Sequence, residues 1–170
     1  MFGLFKRNSV DKTAAKRWRD AVTTEARSPE PYLKGWVSDT IYGRFNMVAL
    51  VATLAMRRLR VQGQEGQALS KAFSELLFSD FDHALRENGV GDASIARRIR
   101  KMGEEFFGLA NAVDAALELG GPQKEVAKVI QRNVQPDEAK ALQLADHLIA
   151  LSERVDRLSD ADVIAGPDAI

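Results

Sequence analysis

Apolar residues recur along this chain at the spacing of helix faces and nowhere alternate as strands do. From Gln67 onward, Leu69, Ala72, Phe73, Leu76, Leu77, Phe81 and Leu85 follow the i, i+3, i+4, i+7 pattern of a single helix face. A second stripe, Ile95, Ile99, Met102, Phe106, Leu109, Val113 and Leu117, advances in steps of four and three. Ala14, Trp18 and Val22 mark a narrower apolar face on a first helix, residues 10–26. The run "FNMVALVATLAM", Phe45 to Met56, is apolar on nearly every side and predicts a central, deeply buried helix. Asp39 is the expected N-cap of that helix, which should run to about Val61 and stop before Gly63. "SPEPYLKGW" between these two helices predicts a turn with room for one short helical piece. "GGP" at Gly120 to Pro122 ends the second stripe, and a short helix is expected over 124–132. A last helix should begin with Pro136 in its first turn and carry Leu144, Leu148, Leu151, Val155 and Leu158.

These elements predict an all-α, single-domain antiparallel bundle of about six helices over residues 10–160. A flexible tip, residues 1–9, precedes it, and a disordered tail, residues 161–170, follows. The five prolines all fall at the edges of periodic segments, where helix punctuation belongs. No internal repeat or low-complexity tract interrupts the pattern.

Composition narrows the function more than it defines it. The chain has 170 residues, enough to bury one sizeable core. Basic and acidic residues number 24 each, so no global charge draws the protein to nucleic acid, and DNA is not an expected partner. The absence of cysteine removes disulfides and thiolate metal sites. The longest uncharged run falls short of the ~20 residues needed to cross a bilayer. At the N-terminus, Phe2, Leu4 and Phe5 precede Lys6 and Arg7, an apolar tip with a basic collar suited to touching a membrane.

Catalytic chemistry is scarce. Gly89 and Gly91 sit between two helices with no strand before them, so they are not a dinucleotide loop. "DFDH" places Asp80 and His83 at i, i+3, the local form of one half of a carboxylate-bundle metal site. The second half is missing, because Leu144 occupies the corresponding position before the only other histidine, His147. No metal or other cofactor is expected. A metal- or small-ligand-binding enzyme using Asp80, Asp82 and His83 stands as the alternative.

Two basic clusters remain. Arg57, Arg58 and Arg60 end the central helix, where cations suit the dipole. Arg97, Arg98, Arg100 and Lys101 lie in the first turns of another helix, where the dipole opposes them. The connector "FDHALRENGVGDAS", Phe81 to Ser94, is richer in charge than a turn requires. Gly89 suits the left-handed position that closes a helix, Val90 can pack back on the last turn, and Asp92 can cap the next helix. Arg86, Glu87, Asp80 and Asp82 are not demanded by that turn. An ion pair of this cluster with Arg44 or Arg58 is one structural use for them.

"YLKGWVSDTIYGRFNMVALVATLAMRRLR" and "FSELLFSDFDHALRENGVGDASIARRIRKMGEEFFG" resemble the ubiquinol–cytochrome c chaperone family, assembly factors of the cytochrome bc1 complex. The resemblance spans residues 32–117. It is carried by Tyr32, Asp39, Gly43, Arg44, Phe45, Arg57, Arg58 and Leu59, then by Phe78, Asp80, Asp82, Leu85, Arg86, Glu87, Gly89, Gly91, Asp92, Lys101, Met102 and Gly108. The chain departs from the family pattern at Val51, Phe107 and Leu109.

The resemblance implies a non-enzymatic chaperone that binds newly made cytochrome b, or another bc1 subunit, at the membrane. A start close to the domain implies the bacterial form, cytoplasmic and peripheral to the inner membrane. Arg44, Arg57, Arg58, Asp80, Asp82, Arg86, Glu87, Asp92, Arg97, Arg98 and Lys101 are then the expected client or partner contacts. The basic clusters also suit anionic lipid or ribosomal RNA, so a ribosome-binding module is a further reading.

Overall fold

The computed structural model describes residues 12–119, 122–135 and 137–170, which form eight α-helices. These are α1 (Lys12–Ala26), α2 (Glu30–Leu33), α3 (Ile41–Arg60), α4 (Gly63–Glu87), α5 (Asp92–Leu117), α6 (Pro122–Asn133), α7 (Glu138–Asp156) and α8 (Asp160–Ala165). The tip residues Phe2, Leu4, Phe5, Lys6 and Arg7 lie outside the described residues, as do Gly120, Gly121 and Pro136.

The apolar run becomes the central helix, since a segment apolar all round is stable only when neighbours cover every side. α3 buries Phe45, Met47 and every residue from Ala49 to Ala55, and packs against α1, α4, α5 and α7. α1 contributes Ala14, Trp18 and Val22, the stripe legible in the sequence. α4 lies against α1, α3 and α5. α6 packs between α5 and α7 and buries Val126, Ala127 and Ile130. Trp18, Phe73 and Phe106 are among the largest fully buried side chains. A buried side chain of the phenylalanine class stabilises the fold by about 1.5–3 kcal/mol.

The all-α architecture stands, with two helices more than the pattern predicts. α2 is the short piece within "SPEPYLKGW". α8 is a correction, because residues expected in a disordered tail are folded. Ser159 caps α8 by accepting from the Asp162 amide at 3.1 Å, and Val163 is fully buried. The Trp18 indole N–H donates to the Val163 carbonyl at 2.8 Å, and Arg58 donates to the Leu158 carbonyl at 2.8 Å and to Asp160 at 2.6 Å. A buried indole N–H needs an acceptor, and this segment supplies it.

Helix ends bring further corrections. Thr40, not Asp39, caps α3, accepting from the Gly43 amide at 3.1 Å, while Asp39 pairs with Arg44 at 2.8 Å. Gly43 packs so closely that a Cβ there would sit 1.8 Å from the Ser38 carbonyl oxygen. α4 begins at Gly63, a turn before Gln67. α7 begins at Glu138, with Asp137 accepting from the Lys140 amide at 2.9 Å.

Candidate functional site

The two ends of α3 use their charges differently. At its C-terminal end, Arg57 donates to the Asp114 carboxylate and to Glu118 at 3.0 Å, and Arg60 donates to Asp114 at 2.6 Å. Burial pushes the Asp114 pKa up, but the bonds from Arg60 and Arg57 outweigh it and hold this carboxyl below its ordinary value. Arg58, a buried residue, ties α3 to the start of α8. Arg57 and Arg58 are therefore internal struts: each spends its guanidinium on α5 or on the C-terminal segment.

Both ends of α3 border a hollow, one of about 620 Å³ beside Arg57 and Arg60 and another at its N-terminal end. Where α1, α3, α4 and α5 converge there, they leave a hollow of about 550 Å³. Phe45, Val48, Leu77, Phe81, Leu85 and Met102 give it an apolar floor, and Tyr32, Asp39, Arg44, Asp80 and Asn88 form its polar rim. A second hollow of about 180 Å³ adjoins it, sharing Ile41, Phe45, Leu85, Asn88 and Met102 and continuing to Tyr42, Val90, Arg98 and Lys101. The two make one furrow. Its floor is stiffened by an aromatic cluster: Phe45 meets Phe81 edge-on at 5.1 Å between ring centroids, and Phe78 meets Phe81 edge-on at 5.5 Å.

The turn between α4 and α5 builds one wall. Gly89 has φ +78°; its amide donates to the Arg86 carbonyl, and the Val90 amide donates to the Leu85 carbonyl at 3.1 Å. This pair of bonds is the Schellman closure of a helix, and it seats Val90 against Leu85 at the furrow. Asp92 does not cap α5. Gly91 holds the N-cap position without a side-chain bond, while Asp92 enters the first turn and accepts from Arg86 at 2.5 Å.

Most charges in and beside the furrow are paired, although Arg98, which lines it, forms no ion pair among the described residues. Arg86 bridges Asp82, at 2.7 Å, and Asp92. Asp80 pairs with Arg19 at 3.0 Å, a contact between α1 and α4 that sequence reasoning missed because its partners are 61 positions apart. The pairs with Arg44 or Arg58 considered for this cluster do not form: Arg44 takes Asp39 and Arg58 takes Asp160. Bonds from Arg44 and Arg86 hold the Asp39 and Asp82 carboxyls below their ordinary pKa values. Burial raises the pKa of Tyr32, whose hydroxyl donates to the Ala26 carbonyl at 2.8 Å.

Asp80, Asp82 and His83 are not brought together as a metal site. Among the described residues no group of three histidine or carboxylate side chains is placed to hold an ion, and His83 is exposed. Glu87, Arg97 and Arg98 are exposed too, and no ion pair engages them among the described residues. Sequence reasoning also missed Ile41 and Tyr42, which are 48% and 64% exposed at the furrow mouth. The available signal was "TIYG": two large apolar residues in the first turn, ahead of the buried stripe that starts at Phe45. Of the three departures from the family pattern, Val51 and Leu109 are buried, whereas Phe107 is half-exposed and stacks on Phe78.

The furrow gathers eight of the twenty residues that carry the resemblance: Tyr32, Asp39, Arg44, Phe45, Asp80, Leu85, Lys101 and Met102 line it. A family model described as ubiquinol-cytochrome C chaperone matches residues 35–168, extending through α6, α7 and α8. No match is found among curated proteins. The crystal structure of the Cbp3 homolog from Brucella abortus is similar, with 27% identity, a TM-score of 0.82, and coverage of 94% of this chain and 90% of that one. With a family match over most of its length and a solved structure of the same architecture, the chain belongs to the ubiquinol–cytochrome c chaperone family.

Proposed function

We propose that this protein assists cytochrome bc1 assembly by holding newly made cytochrome b at the membrane, with the furrow at the N-terminal end of α3 as the contact. One observation carries this reading: eight of the family-signature residues line an open furrow with an apolar floor and two exposed apolar side chains at its mouth. An apolar client segment laid there gains about 25 cal/mol for each Å² taken out of water. The rim pairs Asp39–Arg44 and Asp80–Arg19 favour such use, because a lone charge would oppose desolvation by the client. The contact requires release as well as capture, and a shallow furrow without a covalent step provides both. On this reading the protein works without a cofactor, in the cytoplasm and peripheral to the inner membrane of a bacterium. No helix of the described residues is long and apolar enough to cross a membrane, which agrees with a peripheral role.

The test is affinity capture from membranes actively making cytochrome b. The wild-type chain should recover cytochrome b, and Ile41→Asp with Tyr42→Asp should lose it while keeping the helical circular dichroism of the wild type. Recovery of unrelated proteins alone, or undiminished capture by the double variant, would refute the assignment.

A further inference from the structure

The first turns of α5 carry a feature that client binding alone leaves unexplained. Arg97, Arg98, Arg100 and Lys101 cluster as exposed cations in the second and third turns of α5. Their local compensation is thin. Arg100 reaches Glu104, and Lys101 reaches Glu105, each only at 3.6 Å and exposed. Arg97 and Arg98 form no ion pair among the described residues. The cluster therefore sets four cations against two carboxylates in a chain whose formal net charge is zero.

What lies beside these cations selects the partner. Arg98 and Lys101 line the same hollow as Ile41 and Tyr42, the exposed apolar pair of α3, and outnumber Glu105, the acid in that lining. An aliphatic and an aromatic side chain flanked by long basic ones is the composition of a surface that settles into a bilayer interface. The aromatic ring and the aliphatic group enter the headgroup boundary, and the basic side chains reach lipid phosphates. A nucleic-acid backbone would use the arginines but give Ile41 nothing to pack against.

We infer that this edge of the furrow, formed by Ile41, Tyr42, Arg98 and Lys101 with Arg97 beside them, docks on an anionic bilayer surface. It deepens the client reading and rests on it for purpose: the furrow mouth is thereby held where an apolar membrane segment enters or leaves the bilayer. Lipid binding itself needs no client, so the two ideas fail separately.

The experiment is flotation of the full-length protein with vesicles of phosphatidylcholine, with and without phosphatidylglycerol, in the absence of cytochrome b. Binding should require phosphatidylglycerol and weaken with salt. Each neutralised cation should lower vesicle affinity about five-fold, so Arg98→Gln with Lys101→Gln should lower it about twenty-five-fold. Tyr42→Ser should also weaken flotation. The matched change Lys124→Gln with Arg132→Gln, on exposed positions of α6, should leave it intact. All of these positions are exposed, and unchanged thermal unfolding will show that the variants fold. The proposal is overturned if the protein fails to float, floats equally with neutral vesicles, or floats undiminished in the Arg98/Lys101 variant. It is equally overturned if a single-stranded RNA oligomer displaces the vesicles and its own binding needs the arginines but not Tyr42.

Discussion

Gly89 and Gly91 sit two residues apart in one connector, and the same substitution should have different consequences at each. Gly89 has φ +78°, and a Cβ built on it meets nothing within 4 Å. Any cost of Gly89→Ala is therefore conformational and not steric contact. Placing an L-residue in the left-handed region costs about 1–2 kcal/mol. Restricting the unfolded chain returns about 0.4–1 kcal/mol. The net is a destabilisation of about 1 kcal/mol, or a Tm lower by roughly 2–4 °C for a domain of this size.

Gly91 has φ −66° and ψ 144°, open to any residue, and its Cβ position is also empty. Gly91→Ala therefore gains the same ~0.4–1 kcal/mol from the unfolded chain and loses about 0.5–1 kcal/mol at the N-cap, where Gly is preferred to Ala, leaving Tm close to that of the wild type. Gly89→Asn, which tolerates positive φ, should fall between wild type and Gly89→Ala. Calorimetry of the three variants decides the matter. A Gly89→Ala Tm equal to wild type, or equal losses at both glycines, would refute this account of the turn.

Three further predictions concern the fold and its site. Gly43→Ala forces a Cβ against the backbone carbonyl of Ser38, which cannot swing aside, so a loss at the upper end of the ~1–3 kcal/mol range for overpacking is expected in denaturant titration. Arg86→Ala removes bridges that are half-exposed and contribute little to stability. It should leave Tm almost unchanged yet lower bc1 content when expressed in a strain lacking the native protein; proportional losses in both would make Arg86 purely structural. His147 lies against the Trp36 ring at 5.8 Å between centroids, and burial lowers its pKa. The unfolded chain then binds this proton first, so the contribution is complete above the ordinary histidine pKa of about 6.5 and is lost as the pH falls below it. Denaturant midpoints should drop between about pH 7.5 and about pH 5.5 in the wild type, and His147→Gln should flatten that slope.

The long helices were legible because burial leaves a periodic trace. The Leu69–Leu85 stripe and the run from Phe45 to Met56 each identify a helix without knowledge of its neighbours. The tail was not legible, because its order depends on a short buried stretch, Val163, Gly166 and Pro167, and on an indole partner 145 positions away. Asp39 and Thr40 are adjacent and both able to cap, so only the backbone geometry distinguishes them. The arginines of "MRRLR" were visible as a cluster, but Asp114, Glu118 and Asp160, which engage them, come from distant helices. Family-signature positions were visible from the sequence, whereas the convergence of eight of them on one furrow depends on how α1, α3, α4 and α5 splay. Periodicity shows which face of a helix is apolar. It does not show where a covering neighbour is missing, so Ile41 and Tyr42 emerged only from the fold.

The central claim is that an apolar segment of cytochrome b occupies the furrow at the N-terminal end of α3. Site-specific photocrosslinking during cytochrome b synthesis tests it most directly, with the reactive side chain at position 42 and, as the comparison, at position 124 on α6. A cytochrome b adduct is expected from position 42 and none from position 124. An adduct from position 124 with none from position 42 would contradict it.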